Sequence, residues 1–366
     1  YETDVLKTPK GLAGGELVRV VDQKSWFQGY AFYSSESKIT LRLLTRDDEP
    51  CDRDFFLRRF AEAKRLREAI FPGVDVWRAV HGEADLLPGT VVDRYGDCLV
   101  VQLLTQGAEA RKGMFVEILR ELYRPKAILE RSDARVRLLE GLEQRKGLLY
   151  GQDPGDIEYR EGDVRLRTNL LGGQKTGAFL DQRENHVAAG LFARGRGLDC
   201  FSYAGGFALQ LAKKCEQVTA VEISEEAGQL IRGNAELNGV ANVDVVVQNA
   251  FDFLKAAVDR EEKYDIIVLD PPAFAKNKGA IEAAERGYKE INLRALQLLS
   301  KGGVLVTASC SFHIDDDHFE EILWSAAVDA RRSVQIVERR GAGRDHPVLM
   351  GARETRYLKC FVLRAA

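Results

Sequence analysis

The C-terminal half of the chain alternates between short apolar runs and longer segments with helical periodicity. The apolar runs have the length of strands and comprise residues 197–201, 218–223, 243–248, 264–270 and 302–309. Such alternation predicts a parallel, doubly wound sheet, which binds its ligands at the carboxyl ends of the strands. Two further runs, residues 333–340 and 356–365, have no helical segment between them and predict an antiparallel hairpin that completes the sheet.

The N-terminal half follows a different pattern. Residues 11–45 alternate between apolar and polar positions and are rich in β-branched and aromatic residues, which predicts a small sheet or barrel of short strands. Residues 52–71 have helical periodicity and end before Pro72. The middle of the chain predicts three strands, a helix at 109–123 and a further strand, and then a hairpin that turns at Gly162.

Composition narrows the class of protein. The chain has 366 residues, of which 45% are hydrophobic, and its 53 basic and 56 acidic residues give a net charge of −3. It therefore lacks the basic excess of a histone-like protein. No run approaches the roughly 20 apolar residues of a membrane span, so we expect a soluble, cytoplasmic chain. The six cysteines form no C-x-x-C pair and no histidine cluster lies near them, which argues against zinc.

The turn after the first strand of the predicted sheet carries an acidic residue and two glycines. Asp199 lies at the end of the strand, and Gly205 and Gly206 lie where the next helix begins. Glycine lets the backbone approach a ligand closely, but a nicotinamide dinucleotide site would need the spacing G-x-G-x-x-G. A carboxylate here would repel a pyrophosphate and suits the ammonium of a methionine moiety. The pattern therefore favours S-adenosylmethionine (SAM).

Further polar residues follow the neighbouring strands. Glu222 ends the second strand, where an acidic side chain can accept both ribose hydroxyls; the alternative is a solvated charge beside a helix N-terminus. Asn249 follows the third strand and is placed to meet the adenine amino group. Before the sheet begins, residues 174–186 gather polar side chains around Phe179, and we expect this segment to join the same site.

Two residues at the ends of the fourth and fifth strands carry the predicted chemistry. Asp270 is followed by Pro271 and Pro272, and since proline cannot continue a central strand, the turn leaves Asp270 facing the cleft. Such Asp-Pro-Pro-aromatic turns are typical of enzymes that methylate bases or other planar nitrogen compounds. Cys310 follows the next strand and would lie beside Asp270; the alternative is a small apolar residue at a strand end.

A thiol at this edge suits methylation of C5 of a pyrimidine. C5 is too weak a nucleophile to take a methyl group directly. A thiolate that adds to C6 makes C5 enolate-like; C5 then takes the methyl group, a base removes the C5 proton, and the thiolate leaves. We therefore expect Cys310 to be the nucleophile and Asp270 to hydrogen-bond the cytosine edge.

These motifs, in this order, resemble the RlmI-like family of 23S ribosomal-RNA cytosine-5 methyltransferases. The resemblance covers nearly the whole chain and rests on HGEADLLPGTVVDRYGD, TNLLGGQKTGAFLDQRENH, LDCFSYAGGF, LDPPAF and SCSF. It implies a small β-rich PUA-like domain at 1–50, a linker helix and central α/β domain with a β-hairpin at 51–168, and an α/β Rossmann-like class I SAM methyltransferase domain at 169–366. Because the sequence begins at Tyr1, we expect the first domain to be trimmed.

The resemblance also implies SAM as the cofactor and a cysteine nucleophile at Cys310. Unlike the two-cysteine RNA methyltransferases, the chain has no cysteine beside Asp270 and Pro271, which leaves open the base that removes the C5 proton. The implied SAM contacts are Lys175, Thr176, Phe179, Asp181, Gln182, Arg183, Asp199, Phe201, Ser202, Tyr203, Gly205, Gly206, Glu222, Ile223, Asn249, Ala250, Asp270 and Pro271.

The expected partner is RNA, specifically 23S ribosomal RNA, without metal or membrane. Basic clusters at 53–67, 131–146 and 331–344 are placed to meet phosphates, although a solvated helical face explains the first cluster equally well. Methylation of C5 requires an unpaired or flipped cytosine. Phe274 and Phe312 are candidates for stacking on that base or for packing in the protein. Both a monomer and a homodimer fit the sequence.

Two other functions fit the same residues. The first is a methyltransferase that acts on a guanine or adenine nitrogen of RNA through Asp270; that reaction uses a lone pair of the base and needs no thiol. The second is a non-catalytic RNA-binding assembly factor whose SAM site is vestigial. The presence of Asp199, Gly205, Glu222 and Asp270 together argues against the second function.

Overall fold

The computed structural model describes residues 1–173, 176–275 and 278–366, which divide into two compact units. The first unit comprises Tyr1–Ile157, Thr168–Leu180 and Arg344–Thr355. The second comprises Glu158–Arg167, Asp181–Gly343 and Arg356–Ala366. Each unit therefore combines segments that are distant in sequence.

The first unit begins with a three-stranded antiparallel sheet, as the alternating pattern predicts. Its strands lie side by side in chain order and are β1 (Leu17–Val21), β2 (Phe27–Tyr33) and β3 (Leu41–Thr45). Helix α1 (Arg53–Ile70) follows. Asp52 caps it, because its side chain accepts the N–H groups of Asp54 and Phe55, which have no partner within the helix.

A five-stranded sheet forms the rest of the first unit's core. Its strands lie in chain order and are antiparallel, except that β6 and β7 run parallel. The elements are β4 (Val76–His81), β5 (Thr90–Tyr95), β6 (Cys98–Leu103), α2 (Gln106–Glu109), α3 (Lys112–Tyr123), β7 (Ala127–Ser132) and β8 (Arg145–Gly151). Strand β8 is an element that the sequence pattern did not predict.

The first unit buries two arginine–aspartate pairs. Arg67 is fully buried and donates to both carboxylate oxygens of Asp85, at 2.6 and 2.8 Å, and to the main-chain oxygen of Asp345 at 2.8 Å. Arg78 donates to both carboxylate oxygens of Asp93, at 2.8 and 3.0 Å, and its own N–H donates to the Asp345 carboxylate. Bidentate bonds of this kind are strong and directional. The single bonds from Arg67 and Arg78 to Asp345 attach its segment to the two pairs.

A two-stranded hairpin, β9 (Asp156–Glu161) and β10 (Val164–Asn169), precedes the second sheet. Seven strands form that sheet in the order β13-β12-β11-β14-β15-β17-β16; the first five are parallel, and β17 is antiparallel to both of its neighbours. The strands are β11 (Arg196–Cys200), β12 (Gln217–Glu222), β13 (Val243–Val247), β14 (Tyr264–Leu269), β15 (Leu299–Ser309), β16 (Val334–Arg340) and β17 (Lys359–Ala365).

Helices cover this sheet, which confirms the predicted doubly wound fold with its antiparallel terminal strand. They are α4 (Arg183–Leu191), α5 (Gly206–Ala212), α6 (Glu225–Leu237), α7 (Ala250–Asp259), α8 (Ile281–Leu298) and α9 (Asp316–Asp329). Successive residues of β14 enter two different apolar cores: Ile266 and Val268 pack in one, and Ile267 and Leu269 in the other. Burial on both faces explains why the strands are continuously apolar.

Within the described ranges, no helix is long and apolar enough to cross a membrane. None of the six cysteines, all of which lie in the described ranges, forms a disulfide. Cys200 and Cys360 are fully buried in the cores of the second unit, as their apolar neighbours in the sequence predict.

Candidate active site

Asp199 is the penultimate residue of β11, and its side chain is fully buried. One carboxylate oxygen, Oδ2, accepts the N–H of Ala208 in the first turn of α5 at 2.9 Å. The other oxygen, Oδ1, is buried without a hydrogen-bond partner among the described residues. Burial disfavours the charged form and raises the pKa of Asp199 to about 7. A buried acceptor with no partner fits a ligand that brings a positively charged donor.

The turn after Asp199 has an unusual backbone. Phe201 and Tyr203 both have positive φ, at 67° and 49°, and Gly205 follows at 82°. Left-handed conformations cost non-glycine residues free energy and concentrate at functional sites. The turn is held by the N–H of Phe201, which donates to the Val221 carbonyl at 3.0 Å. The predicted contacts Phe201, Ser202 and Tyr203 thus lie on a constrained turn beside the carboxyl ends of β11 and β12.

Gly206 has a structural reason to be glycine that the sequence did not reveal. A Cβ at this position would lie 2.4 Å from the ring of His186 on α4. His186 is buried against Phe207, with ring centroids 4.4 Å apart, and contacts the Glu161 carboxylate. Burial alone would lower the pKa of His186, but the Glu161 contact outweighs it and raises the pKa. The glycine therefore admits a buried ion pair behind the turn.

Glu222 and Asn249 lie at the ends of β12 and β13, as predicted, and both are already engaged. Glu222 is half-buried and accepts backbone N–H groups from Tyr203 at 2.9 Å, Ile223 at 2.8 Å and Ser224 at 3.1 Å. A carboxylate accepts about four hydrogen bonds, so one direction on Oε2 is left for a ribose hydroxyl. The Asn249 oxygen caps α7 by accepting the Phe251 N–H at 2.9 Å.

A chain of polar side chains leads to Asp270 at the end of β14. Gln182 donates from Nε2 to Asp270 Oδ1 at 2.7 Å, and its oxygen accepts from Asn185 at 2.6 Å. Asn185 in turn accepts from Arg340 at 2.8 Å and donates to the Gly341 carbonyl at 2.9 Å. Gln182 was a predicted cofactor contact, whereas Asn185 and Arg340 were not singled out. The chain fixes the orientation of the Asp270 carboxylate.

Cys310 follows β15 and is half-buried, with Sγ 3.9 Å from the carbonyl oxygen of Pro271. Because β14 and β15 are parallel neighbours, the thiol and the Asp270 turn lie at the same edge of the sheet, as the strand order predicts. Behind the thiol, the Ser311 hydroxyl bonds the buried Tyr288 hydroxyl at 2.9 Å. The buried ammonium of Lys359 donates to the Ser311 carbonyl at 2.7 Å. Lys359 was not among the predicted site residues.

The remaining predicted contacts are distributed over both units. Thr176 and Phe179 belong to the first unit, where the Thr176 hydroxyl donates to Asp93. Lys175 lies outside the described residues. In the second unit, Asp181 accepts from the Tyr357 hydroxyl at 2.6 Å. Arg183 and Ala250 are buried at the starts of α4 and α7, and Ile223 is 67% exposed beside Glu222.

The aromatic candidates have different surroundings. Phe274 packs against the core of the second unit with its ring centroid 4.6 Å from that of Tyr288, which accounts for it as a packing residue. Phe312 is 47% exposed.

The predicted basic clusters include both buried and exposed members. Arg67, Arg131 and Arg137 are buried and bonded within the first unit. Exposed members that are available to phosphates include Arg65, Arg135, Lys146 and Arg331. Among the described residues, no three histidine, cysteine or acidic side chains are grouped as metal ligands.

Comparison with known proteins agrees with this geometry. The family described as S-adenosylmethionine-dependent methyltransferase matches residues 147–361, and a PUA-like domain matches residues 1–46. The chain is 42% identical to ribosomal RNA large subunit methyltransferase I of Tolumonas auensis over 361 residues, which cover 96% of this chain and 91% of the relative. The protein of the same name from Escherichia coli is 41% identical over 358 residues, 96% of this chain and 90% of the relative.

Solved structures share the fold. A candidate methyltransferase named SMU.776, solved in complex with SAH, superposes with a TM-score of 0.84 at 23% identity and covers 97% of this chain and 93% of its own. A candidate SAM-dependent methyltransferase from Streptococcus mutans gives a TM-score of 0.83 at 22% identity, with coverage of 96% and 92%. The partnerless Asp199 oxygen at the end of β11 suits the ammonium of SAM, so the residues present fit this cofactor. The chain therefore belongs to the SAM-dependent methyltransferases, and within them to the ribosomal RNA large subunit methyltransferase I family.

Proposed function

We propose that this chain methylates C5 of a cytosine in large-subunit (23S) ribosomal RNA through a covalent adduct at Cys310. The observation that carries the proposal is the position of Cys310, whose Sγ lies 3.9 Å from the Pro271 carbonyl at the edge that also holds Asp270. Its relatives are named ribosomal RNA large subunit methyltransferases, and the chain matches them over nearly their whole length. Since such RNA is cytoplasmic in bacteria, the proposed location is the cytoplasm.

SAM, when bound, supplies an electrophilic methyl group on a sulfonium sulfur. In the proposed site, the partnerless Asp199 oxygen accepts from the ammonium of the methionine moiety. Glu222 uses its remaining lone pair for one ribose hydroxyl, since its other acceptor directions bind backbone N–H groups. Ile223, which is largely exposed, offers an apolar surface to the adenine ring. Asn249 supports the adenine amino group with the second lone pair of its capping oxygen.

The Cys310 thiolate carries the covalent step. It forms a bond to C6 of the flipped cytosine, and the electrons of the C5–C6 double bond move so that C5 becomes nucleophilic. C5 takes the methyl group, a base removes the C5 proton, and the electrons of that C–H bond restore the double bond as the C6–S bond breaks. Asp270, oriented by Gln182, hydrogen-bonds the cytosine edge and favours protonation of N3 as the thiolate adds to C6, so that the ring does not accumulate negative charge.

The test identifies the methylated nucleoside. The full chain is incubated with labelled SAM and unmodified large-subunit ribosomal RNA, which is then digested and analysed by mass spectrometry. We expect labelled 5-methylcytosine with the wild type and none with Cys310→Ala, because C5 is unreactive without the adduct. Cys51→Ala is the matched control, because it removes a partly buried thiol from the first unit and is expected to leave methylation intact.

The other outcomes are decisive. Label on a guanine or adenine nitrogen that persists in Cys310→Ala would keep the methyltransferase and replace the covalent mechanism by direct transfer at Asp270. SAM binding without turnover on any RNA would favour a non-catalytic assembly factor.

A further inference from the structure

Lys359 opens β17 and is 1% exposed. In the antiparallel register of β15 and β17 it pairs with Ser309, the last residue of β15 and the neighbour of Cys310. Its ammonium donates to two main-chain carbonyls, that of Ser311 at 2.7 Å and that of Tyr357 at 2.8 Å. Lys359 therefore contacts both chain neighbours of Cys310: it pairs with Ser309 in the sheet and donates to the carbonyl of Ser311.

Lys359 forms no ion pair with a carboxylate among the described residues, although burying a charge without a paired counter-charge is costly. An ammonium has three N–H donors, and the two carbonyls occupy two of them. The ammonium therefore lies beside the chain that carries Cys310, with its charge compensated only in part by these carbonyls.

The charges around Lys359 point to the thiol as its anionic partner. Burial lowers the pKa of Lys359 to about 8, and among the charges that counteract burial, Cys310 acts more strongly than Asp316 and Asp315. Asp316 is shared with Arg356 at 3.1 Å, and the Asp315 carboxylate caps α9 through the N–H of His318. Nearby, Tyr288 is held neutral because burial raises its pKa. The attraction is mutual, so the ammonium favours the thiolate as the thiolate favours the ammonium.

We propose that Lys359 is a positioning residue for Cys310: its buried ammonium anchors the main chain that carries the thiol and supplies the positive charge that keeps the thiol ionised. The proposal deepens the proposed function and rests on Cys310 being the nucleophile. The thiol proton leaves to water, and Lys359 keeps its own proton at neutral pH. Above about pH 8, Lys359 deprotonates and this support is lost.

The test follows the alkylation of Cys310 by iodoacetamide between pH 5 and 10, read by peptide mass spectrometry on the full chain. In the wild type, we expect the rate to reach its midpoint clearly below the ~8.5 of an ordinary thiol. Lys359→Met should raise that midpoint by about one unit and slow alkylation at pH 7 about tenfold. Lys359→Arg keeps the charge and should stay close to the wild type.

Lys263→Met is the matched control, because Lys263 also donates to a main-chain carbonyl, that of Gln297, but from an exposed position. An ordinary midpoint in the wild type would overturn the proposal even if Lys359→Met failed to fold. An equal loss in Lys359→Arg and Lys359→Met would overturn it as well, because charge would then not be the cause. Alkylation requires neither SAM nor RNA, so methylation that persists in Cys310→Ala would refute the nucleophile separately from these results.

Discussion

The buried arginine–aspartate pairs of the first unit differ from the buried charges of Asp199 and Lys359 in the second unit. In the first unit, Arg67 meets Asp85 and Arg78 meets Asp93, each through two hydrogen bonds. In the second unit, one oxygen of Asp199 is buried without a hydrogen-bond partner in the part of the chain that the structure describes. Lys359 in the same unit is buried and belongs to no ion pair formed among the described residues.

This difference supports the roles that we propose for Asp199 and Lys359. A buried pair with complete hydrogen bonding locks a conformation, whereas a buried charge that lacks its counterpart is costly and is retained where a ligand or a reaction supplies the counterpart. Asp85 and Asp93 both belong to the block HGEADLLPGTVVDRYGD, which supports the family resemblance. In the structure they serve the first unit's internal framework, while Asp199 and Lys359 lie at the edge of the second sheet that also holds Asp270 and Cys310.

The largest expected effect is a loss of stability when a buried arginine–aspartate pair of the first unit is broken. Arg67→Met should lower the free energy of unfolding by about 3–5 kcal/mol, because it leaves Asp85 buried without its counter-charge. Urea denaturation measures the change. Arg65→Met, on an exposed position of the same helix, should change it by less than about 0.5 kcal/mol. If the two variants had similar stability, the pair would not be the structural element described above.

Asp199→Asn tests the buried carboxylate of the second unit. It should weaken SAM binding on the order of 100-fold, because the ammonium loses its carboxylate, while stability stays equal or rises slightly because a buried charge is removed. Titration calorimetry and denaturation give the two quantities. Asp244→Asn, exposed on β13, is the control. A variant that still bound SAM within about threefold of the wild type would assign the ammonium to another residue.

The smallest effect is a dependence on pH with two opposed trends. Burial raises the pKa of Asp199 to about 7, so SAM affinity should fall about tenfold from pH 8 to pH 6 as the carboxylate takes up a proton. The folded state also binds more protons than the unfolded state between about pH 4 and 7. The contribution of Asp199 to stability therefore decreases as pH rises through that window. Asp199→Asn should flatten both trends. Titration calorimetry at each pH measures the affinity, and denaturation measures the stability; a wild type with no dependence on pH in either quantity would contradict this prediction.

The second unit's sheet, and the edge of it that holds Asp270 and Cys310, were predictable because the pattern of apolar residues along the chain identifies the strands. Continuous apolar runs identify strands buried on both faces, and parallel strands bring their carboxyl ends to one edge. The proximity of Asp270 and Cys310 follows from these two rules alone. The bond from Gln182 to Asp270 does not, since it joins residues 88 positions apart through side-chain geometry.

Other residues combine a predicted role at the ligand with a structural role that the sequence pattern could not distinguish from it. Asn249 was expected to serve the adenine, and the structure adds a helix cap, for which the known preference of asparagine at that position was the available signal. Gly206 was expected to admit a ligand, and the structure adds the His186 ring, which no local pattern announces. Lys359 stands in an apolar run, where a single lysine gives no indication of burial.

The reversed direction of β17 has a practical consequence. Because it runs antiparallel to β15, its first residue, Lys359, lies beside Ser309, whereas Arg364 lies beside Val304 further from the reactive edge. A label or fusion partner attached after Ala366 would therefore leave from the edge opposite Cys310. An affinity tag at that end should leave the thiol accessible, which makes it a convenient place to immobilise the enzyme for assays on large RNA.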